Sequence, residues 1–217
     1  MEKRKQKYGF GSFGTVKISI LEGTIISAFF PEAEEMTIKK IQERVDYSYE
    51  RVNSSLKSLA KNQIIIEKQT GKTLVYSLNL ENLYVESMGF SAYMLGRESE
   101  FIKNHNLIFK AIREIENNSA TLIVILFGSY SKGTETKKSD IDLIIACLPG
   151  EENKIENFVK SLRHKYGIIF APVVIPFYEF TKIKEDNIEL WNDLKMYGIV
   201  FKGEDNFYYW MYKNGKN

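Results

Sequence analysis

The chain has 217 residues, 30 Lys/Arg against 28 Asp/Glu for a net charge of +2, and 44% hydrophobic residues. That excludes a disordered chain and a uniformly basic nucleic-acid coat, and leaves room for one large or two small domains. Its single cysteine, Cys147, excludes a disulfide within the chain and fits a reducing, cytoplasmic setting. Cys147 closes an apolar strand and reads as a buried structural thiol. No apolar run approaches the ~20 residues of a membrane span, and no apolar signal region follows the basic start, Met1 to Lys7. Residues 1–80 hold 13 Lys/Arg and 9 Asp/Glu, and the remainder 17 and 19, giving a mildly basic front and a mildly acidic back.

Residues 1–9 read as a charged tail. The run Gly9 to Val16 looks like the glycine-rich loop of a protein kinase or dinucleotide fold. No strand precedes it, no Val-Ala-x-Lys strand follows, and His-Arg-Asp and Asp-Phe-Gly are missing downstream, so it reads as a lead-in to the first helix. Apolar spacing predicts that helix over Ile18 to Phe30, stopped by Pro31, and a second over Thr37 to Arg44. A third, capped by Ser48 and running to about Lys61, carries Val52, Leu56 and Leu59 on its apolar face. Two β-like runs, Ile64 to Lys68 and Thr73 to Leu78, flank the hairpin turn Gln69-Thr70-Gly71-Lys72.

Three helices and a hairpin over residues 10–80 resemble a winged helix-turn-helix domain. In that family the third helix enters the major groove and the wing touches the backbone. The resemblance implies that Tyr49, Arg51 and Ser55 face base edges or phosphates of double-stranded DNA, and that Lys57, Lys61, Lys68 and Lys72 meet phosphates. Glu50 and Glu67 oppose that, and such modules also serve for dimerisation or docking, so both uses stay open. Residues 81–104, with the small-residue stretch Ser87 to Gly96, read as a helical connector that packs both modules or pairs two chains as a homodimer. Ile108, Ile112 and Ile115 mark a helix over about 106–117. His105 and His164 stand alone on polar stretches, without a metal partner at ligand spacing.

The chemistry concentrates between Leu126 and Ile145. The apolar run Leu122 to Phe127 ends at Gly128-Ser129, and ten residues later Asp140-Ile141-Asp142 opens another apolar run, Leu143 to Cys147. This predicts strand, tight turn, short helix and second strand. Gly128 permits a sharp turn or close approach of a ligand. Ser129 opens a helix whose free N–H groups and dipole favour phosphate. Asp140 and Asp142, two apart on a strand, share one face, as suits hard oxygen ligands of Mg²⁺ or Mn²⁺. Lys132, Lys137 and Lys138 lie between the two halves, either near phosphate or simply solvated.

This pattern resembles the signature of the DNA polymerase β-like nucleotidyltransferases, in their minimal form, carried by Gly128, Ser129, Gly133, Ser139, Asp140, Asp142 and Leu143. The resemblance implies an α+β fold over residues 105–217, a mixed sheet with flanking helices. It implies that Gly128, Ser129, Lys132 and Ser139 bind the nucleoside triphosphate, and that Asp140 and Asp142 bind divalent metal and serve catalysis. Beyond the motif, Glu152 to Tyr166 is an amphipathic helix ended by Gly167. Ile168 to Ile175 is an apolar strand broken by Pro172, which favours an edge position or a bulge. Short helices follow over Glu179 to Asp186 and Ile188 to Met196, then a strand over Ile199 to Lys202, and the aromatic run Phe207 to Tyr212 reads as packing. The family's third carboxylate belongs on a neighbouring strand, here 168–175, which has no Asp or Glu; Glu179 just beyond is the nearest substitute.

Two functions follow. One is metal-dependent transfer of a nucleoside monophosphate to an unknown acceptor, a protein side chain among the options. The other is a DNA-binding regulator whose C-terminal part senses nucleotide or holds a dimer together.

Overall fold

A computed structural model describes residues 17–214. The charged start of the chain and the glycine-rich run Gly9 to Val16 lie outside those residues. Helix α1, Ile20–Ser27, begins at Ser19, whose hydroxyl accepts from the Glu22 N–H while the Glu22 carboxylate accepts from the Ser19 N–H. This reciprocal cap satisfies donors that the first turn cannot pair, and it starts the helix two residues later than expected; the helix also ends three residues earlier, at Ser27. Strand β1, Met36–Thr37, runs directly into α2, Ile38–Arg44, capped by Thr37. Helix α3, Tyr49–Lys61, buries Val52, Leu56 and Leu59 as its spacing predicts. The hairpin β2, Ile65–Thr70, and β3, Thr73–Leu78, accepts β1 on its far side, giving a three-stranded antiparallel sheet in the order β1-β3-β2.

A π-helical segment, Val85–Phe90, leads into the 26-residue α4, Ser91–Glu116. The two helices expected here meet at a kink, where His105 leaves helical geometry (φ −135°, ψ 42°).

The second sheet has the order β6-β5-β4-β7. Strands β4, Thr121–Leu126, and β5, Ile141–Cys147, are antiparallel, joined through α5, Gly128–Lys132. Helix α6, Glu152–Tyr166, makes the crossover to β6, Phe170–Pro176, which runs parallel to β5 on the sheet edge where Pro172 costs no central hydrogen bond. Short helices α7, Phe177–Phe180, and α8, Ile183–Asp186, and the longer α9, Ile188–Tyr197, return the chain to β7, Ile199–Lys202. Helix α10, Glu204–Tyr208, and a second π segment, Tyr209–Lys213, follow.

The pleat of β5 splits the core. Leu143, Ile145 and Cys147 face α4 and α6, whereas Ile144 and Ala146 face the opposite side. That opposite side is continuous with the N-terminal module. Phe30 of the first module lies 5.2 Å from both Phe90 and Tyr212, and the Tyr212 hydroxyl donates to the Pro31 carbonyl at 3.0 Å. The aromatic run near the C-terminus is thus packing, with Phe207 and Tyr208 fully buried. No helix among the described residues is long and apolar enough to cross a membrane.

Candidate active site

Strand β4 ends beside the start of β5, and the Phe127 N–H donates to the Asp142 carbonyl at 3.1 Å. The next residue, Gly128, turns the chain with φ +70°. A Cβ added there would stand 2.2 Å from Asp142 Oδ2, so the Asp142 carboxylate rests against the glycine backbone. Asp140 is exposed and Asp142 half-buried. Burial first, and the Asp140 charge second, hold the Asp142 carboxyl above the usual carboxylate range. The structure thus brings Gly128, Ser129, Asp140 and Asp142 to one place.

Helix α5 has five residues, so its dipole is small and the N–H donors of the turn itself matter more. The Ser131 hydroxyl donates to the Gly128 carbonyl at 3.0 Å, and the Ser129 carbonyl accepts from the Thr134 N–H at 3.0 Å. Ser139 accepts from the Thr136 N–H at 2.9 Å and so builds the turn that delivers the chain into Asp140. Lys132 points to α9: its Nζ pairs with Asp193 at 2.5 Å and lies 5.1 Å from the Tyr197 ring centroid.

Glu179 does not stand in for the third carboxylate. In the parallel register Asp142 pairs with Ala171 and Cys147 with Pro176, so Glu179 lies beyond the far end of β6, roughly 16 Å along the strand from Asp142. The β6 residues on the Asp142 side are Ala171 and Val173. Among the described residues no cluster of three or more His, Cys, Asp and Glu could hold a metal. Two hard carboxylates on one face still suit a divalent cation that takes its remaining oxygens from water and phosphate, and such a cation would relieve the crowding of charge at Asp142.

Spacing along the chain did not reveal a second polar group. The His105 Nε2 lies 3.3 Å from Glu135 Oε1, and its ring meets Tyr130 at 5.3 Å. The kink in α4 places His105 there, thirty residues away in sequence from Glu135. Together with Arg97, Phe101 and Asn104 they line a cavity of about 340 Å³ beside α5.

On α3, Lys57 and Lys61 lie on the outward stripe with Glu50 and Ser54, opposite the buried face; Arg51 and Ser55 flank it on one side and Tyr49 on the other. The Arg51 guanidinium sits over the Tyr47 ring at 4.7 Å. On the hairpin Lys72 is exposed at the turn, and Lys68 pairs with Glu35 at 3.5 Å.

Residues 110–189 match the family model described as "Polymerase beta, Nucleotidyltransferase". Two proteins of Methanocaldococcus jannaschii, both named "Putative protein adenylyltransferase", are similar. MJ0141 is 31% identical over 77 residues, covering 31% of this chain and 78% of that protein. MJ1305 is 29% identical over 91 residues, covering 39% of this chain and 60% of that protein. A solved structure described as "Crystal structure of the toxin-antitoxin with AMP-PNP" superposes with a TM-score of 0.37 and 21% identity, over 51% of this chain and 82% of that one. Through residues 110–189 the chain belongs to the polymerase beta nucleotidyltransferase family.

Proposed function

We propose that this chain is a metal-dependent nucleotidyltransferase that moves AMP from ATP to a hydroxyl of a protein acceptor. The observation that carries the reading is the Asp142 carboxylate lying against the Gly128 turn, close enough to Asp140 to feel its charge. The names of the two archaeal relatives support AMP as the group moved and protein as the acceptor. In this reading the backbone of Gly128 and Ser129 holds triphosphate oxygens, while Asp140 and Asp142 hold Mg²⁺ or Mn²⁺. The bound cation would offset charge that spreads over phosphate oxygens in the transition state. The acceptor oxygen bonds to the α-phosphorus and gives up its proton to solvent, while the bond from phosphorus to the α,β-bridging oxygen breaks and pyrophosphate leaves. The test is incubation with labelled ATP, CTP, GTP and UTP plus Mg²⁺ or Mn²⁺, comparing the wild type with Asp140→Ala/Asp142→Ala. Label transfer and pyrophosphate release lost in the double variant support the proposal; equal release by both rejects it.

The second reading is a regulator that binds duplex DNA through a winged helix-turn-helix and keeps the C-terminal part for nucleotide sensing. The order helix, strand, helix, helix, hairpin with β1 closing the sheet supports the module, and exposed Arg51, Lys57, Lys61 and Lys72 support the ligand. The Ala171 and Val173 positions on β6, where a carboxylate is missing, favour this reading over catalysis.

A further inference from the structure

A helix of five residues has almost no stability of its own, because nucleation consumes most of its hydrogen bonds. The Gly128–Ser129 turn therefore takes its position from contacts that α5 makes with its surroundings. Apart from Asp142 and the Lys132–Asp193 pair, the strongest of these comes from α4. Arg97 donates from Nη2 to the Ser131 carbonyl at 2.8 Å. Its other guanidinium nitrogen, Nη1, lies 3.4 Å from the Met196 and Gly198 carbonyls, and 3.5 Å from the Tyr93 hydroxyl. Met196 is in the last turn of α9 and Gly198 precedes β7. One guanidinium thus joins the carbonyl ends of two helices. No carboxylate pairs with it among the described residues. Its planar fork suits three divergent carbonyls in a way a lysine ammonium does not. Tyr93, one turn earlier on α4, packs 5.9 Å from Phe30, so the same stretch of helix anchors α5 to the shared core.

We propose that Arg97 is a positioning residue for the nucleotidyl transfer site: it holds α5 so that the Gly128–Ser129 turn stays in register with Asp142. In this role the guanidinium acts through α5. It fixes the carbonyl end of the short helix, and the Ser131 hydroxyl carries that constraint to the Gly128 carbonyl. The inference rests on the proposed grip of triphosphate by this turn.

The test compares wild type, Arg97→Met and Arg97→Lys by amide hydrogen exchange and by calorimetric titration with ATP and Mg²⁺. A charge-assisted hydrogen bond of this kind makes a local opening at least about tenfold rarer. In Arg97→Met, exchange over residues 129–134 should quicken by about that factor, with β5 and α6 unchanged, and ATP should bind about tenfold more weakly. Arg97→Lys, able to keep one carbonyl, should fall between. Unchanged exchange in the α5 segment overturns the proposal whatever ATP does. Uniformly faster exchange across the protein, or faster α5 exchange with wild-type ATP affinity, also overturns it. A wild type that binds no triphosphate rejects the transferase reading, while the exchange rates still decide whether Arg97 holds α5.

Discussion

Gly128→Ala and Gly133→Ala form a pair in which one physical cost is shared and the other is not. Both glycines have left-handed backbone, φ +70° and +68°. An alanine at either position costs about 1–2 kcal/mol of backbone strain. At Gly133 an added Cβ meets nothing within 4 Å, so strain is the whole cost, a loss of roughly 2–8 °C in melting temperature. At Gly128 the added Cβ would lie 2.2 Å from Asp142 Oδ2 and 3.0 Å from its Cγ. Relaxing that to ordinary contact needs a displacement of about 1 Å or more, by the carboxylate or by the turn. Overpacking adds about 1–3 kcal/mol to the strain. A misplacement of this size in a reacting site is worth about a hundredfold in rate. Gly128→Ala should therefore melt below Gly133→Ala and lose about a hundredfold in AMP transfer, whereas Gly133→Ala keeps most of its activity. Thermal melts and the labelled-ATP assay on the two variants read both effects. Equal transfer by the two variants would refute the idea that the turn and Asp142 work as a unit.

Asp142→Asn removes a carboxylate whose charged form is disfavoured by burial and by Asp140. The metal-free variant should melt no lower than wild type and lose any stabilisation by Mg²⁺; a surviving Mg²⁺-dependent shift would show that the ion binds elsewhere. Burial lifts the Glu116 carboxyl to about 7 against the pull of Arg113, with Glu98 adding to the rise and Lys202 opposing it. The folded protein holds that proton more tightly than the unfolded chain, so this contribution is complete below the unfolded value and is lost as pH rises through about 7. Melting temperature should decline between about pH 4.5 and 7 by a component worth about 1–2 kcal/mol after solvent screening, and Glu116→Gln should remove that slope. If the hairpin and α3 meet DNA, Lys61→Gln or Lys72→Gln should weaken binding alike on all duplexes and lower the salt slope by about one, while Arg51→Ala should alter sequence preference. Retained affinity in all three would exclude this face as the DNA surface.

The motif was legible because its parts are local. Gly128 and Asp142 are tied by a turn and one strand pair, and Asp140 stands immediately before that strand. Of the two readings that Pro172 left open, an edge or a bulge, the sheet order shows the edge. What the sequence did not show depends on register between distant segments. Nothing near Glu179 in sequence reveals that β6 runs parallel to β5, which carries that residue away from Asp142. The pairing of Lys132 with Asp193, sixty-one residues away on α9, is another contact that spacing along the chain does not show. His105 looked isolated because helical periodicity cannot foresee a kink that turns one residue toward Glu135.

The uninterrupted core changes what the two modules mean for each other. Leu21, Ile25, Phe29, Val52 and Leu56 belong to the same buried cluster as Ile125, Ile144, Trp191 and Tyr208. Polar ties follow the same seam: Lys195 on α9 donates to the Glu32 carbonyl at 3.4 Å, and the Glu32 carboxylate pairs with Arg44 on α2 at 2.9 Å. Asp193, which holds Lys132, lies two residues from Lys195. A ligand that draws Lys132 away from Asp193 would therefore act on a helix already tied to α2. Two modules joined by a flexible linker would bind their ligands independently. Here, were a nucleotide to bind at the proposed site and a ligand on α3, the two would share a packed interface, and by linkage any effect of one on the other's affinity would be equal in both directions.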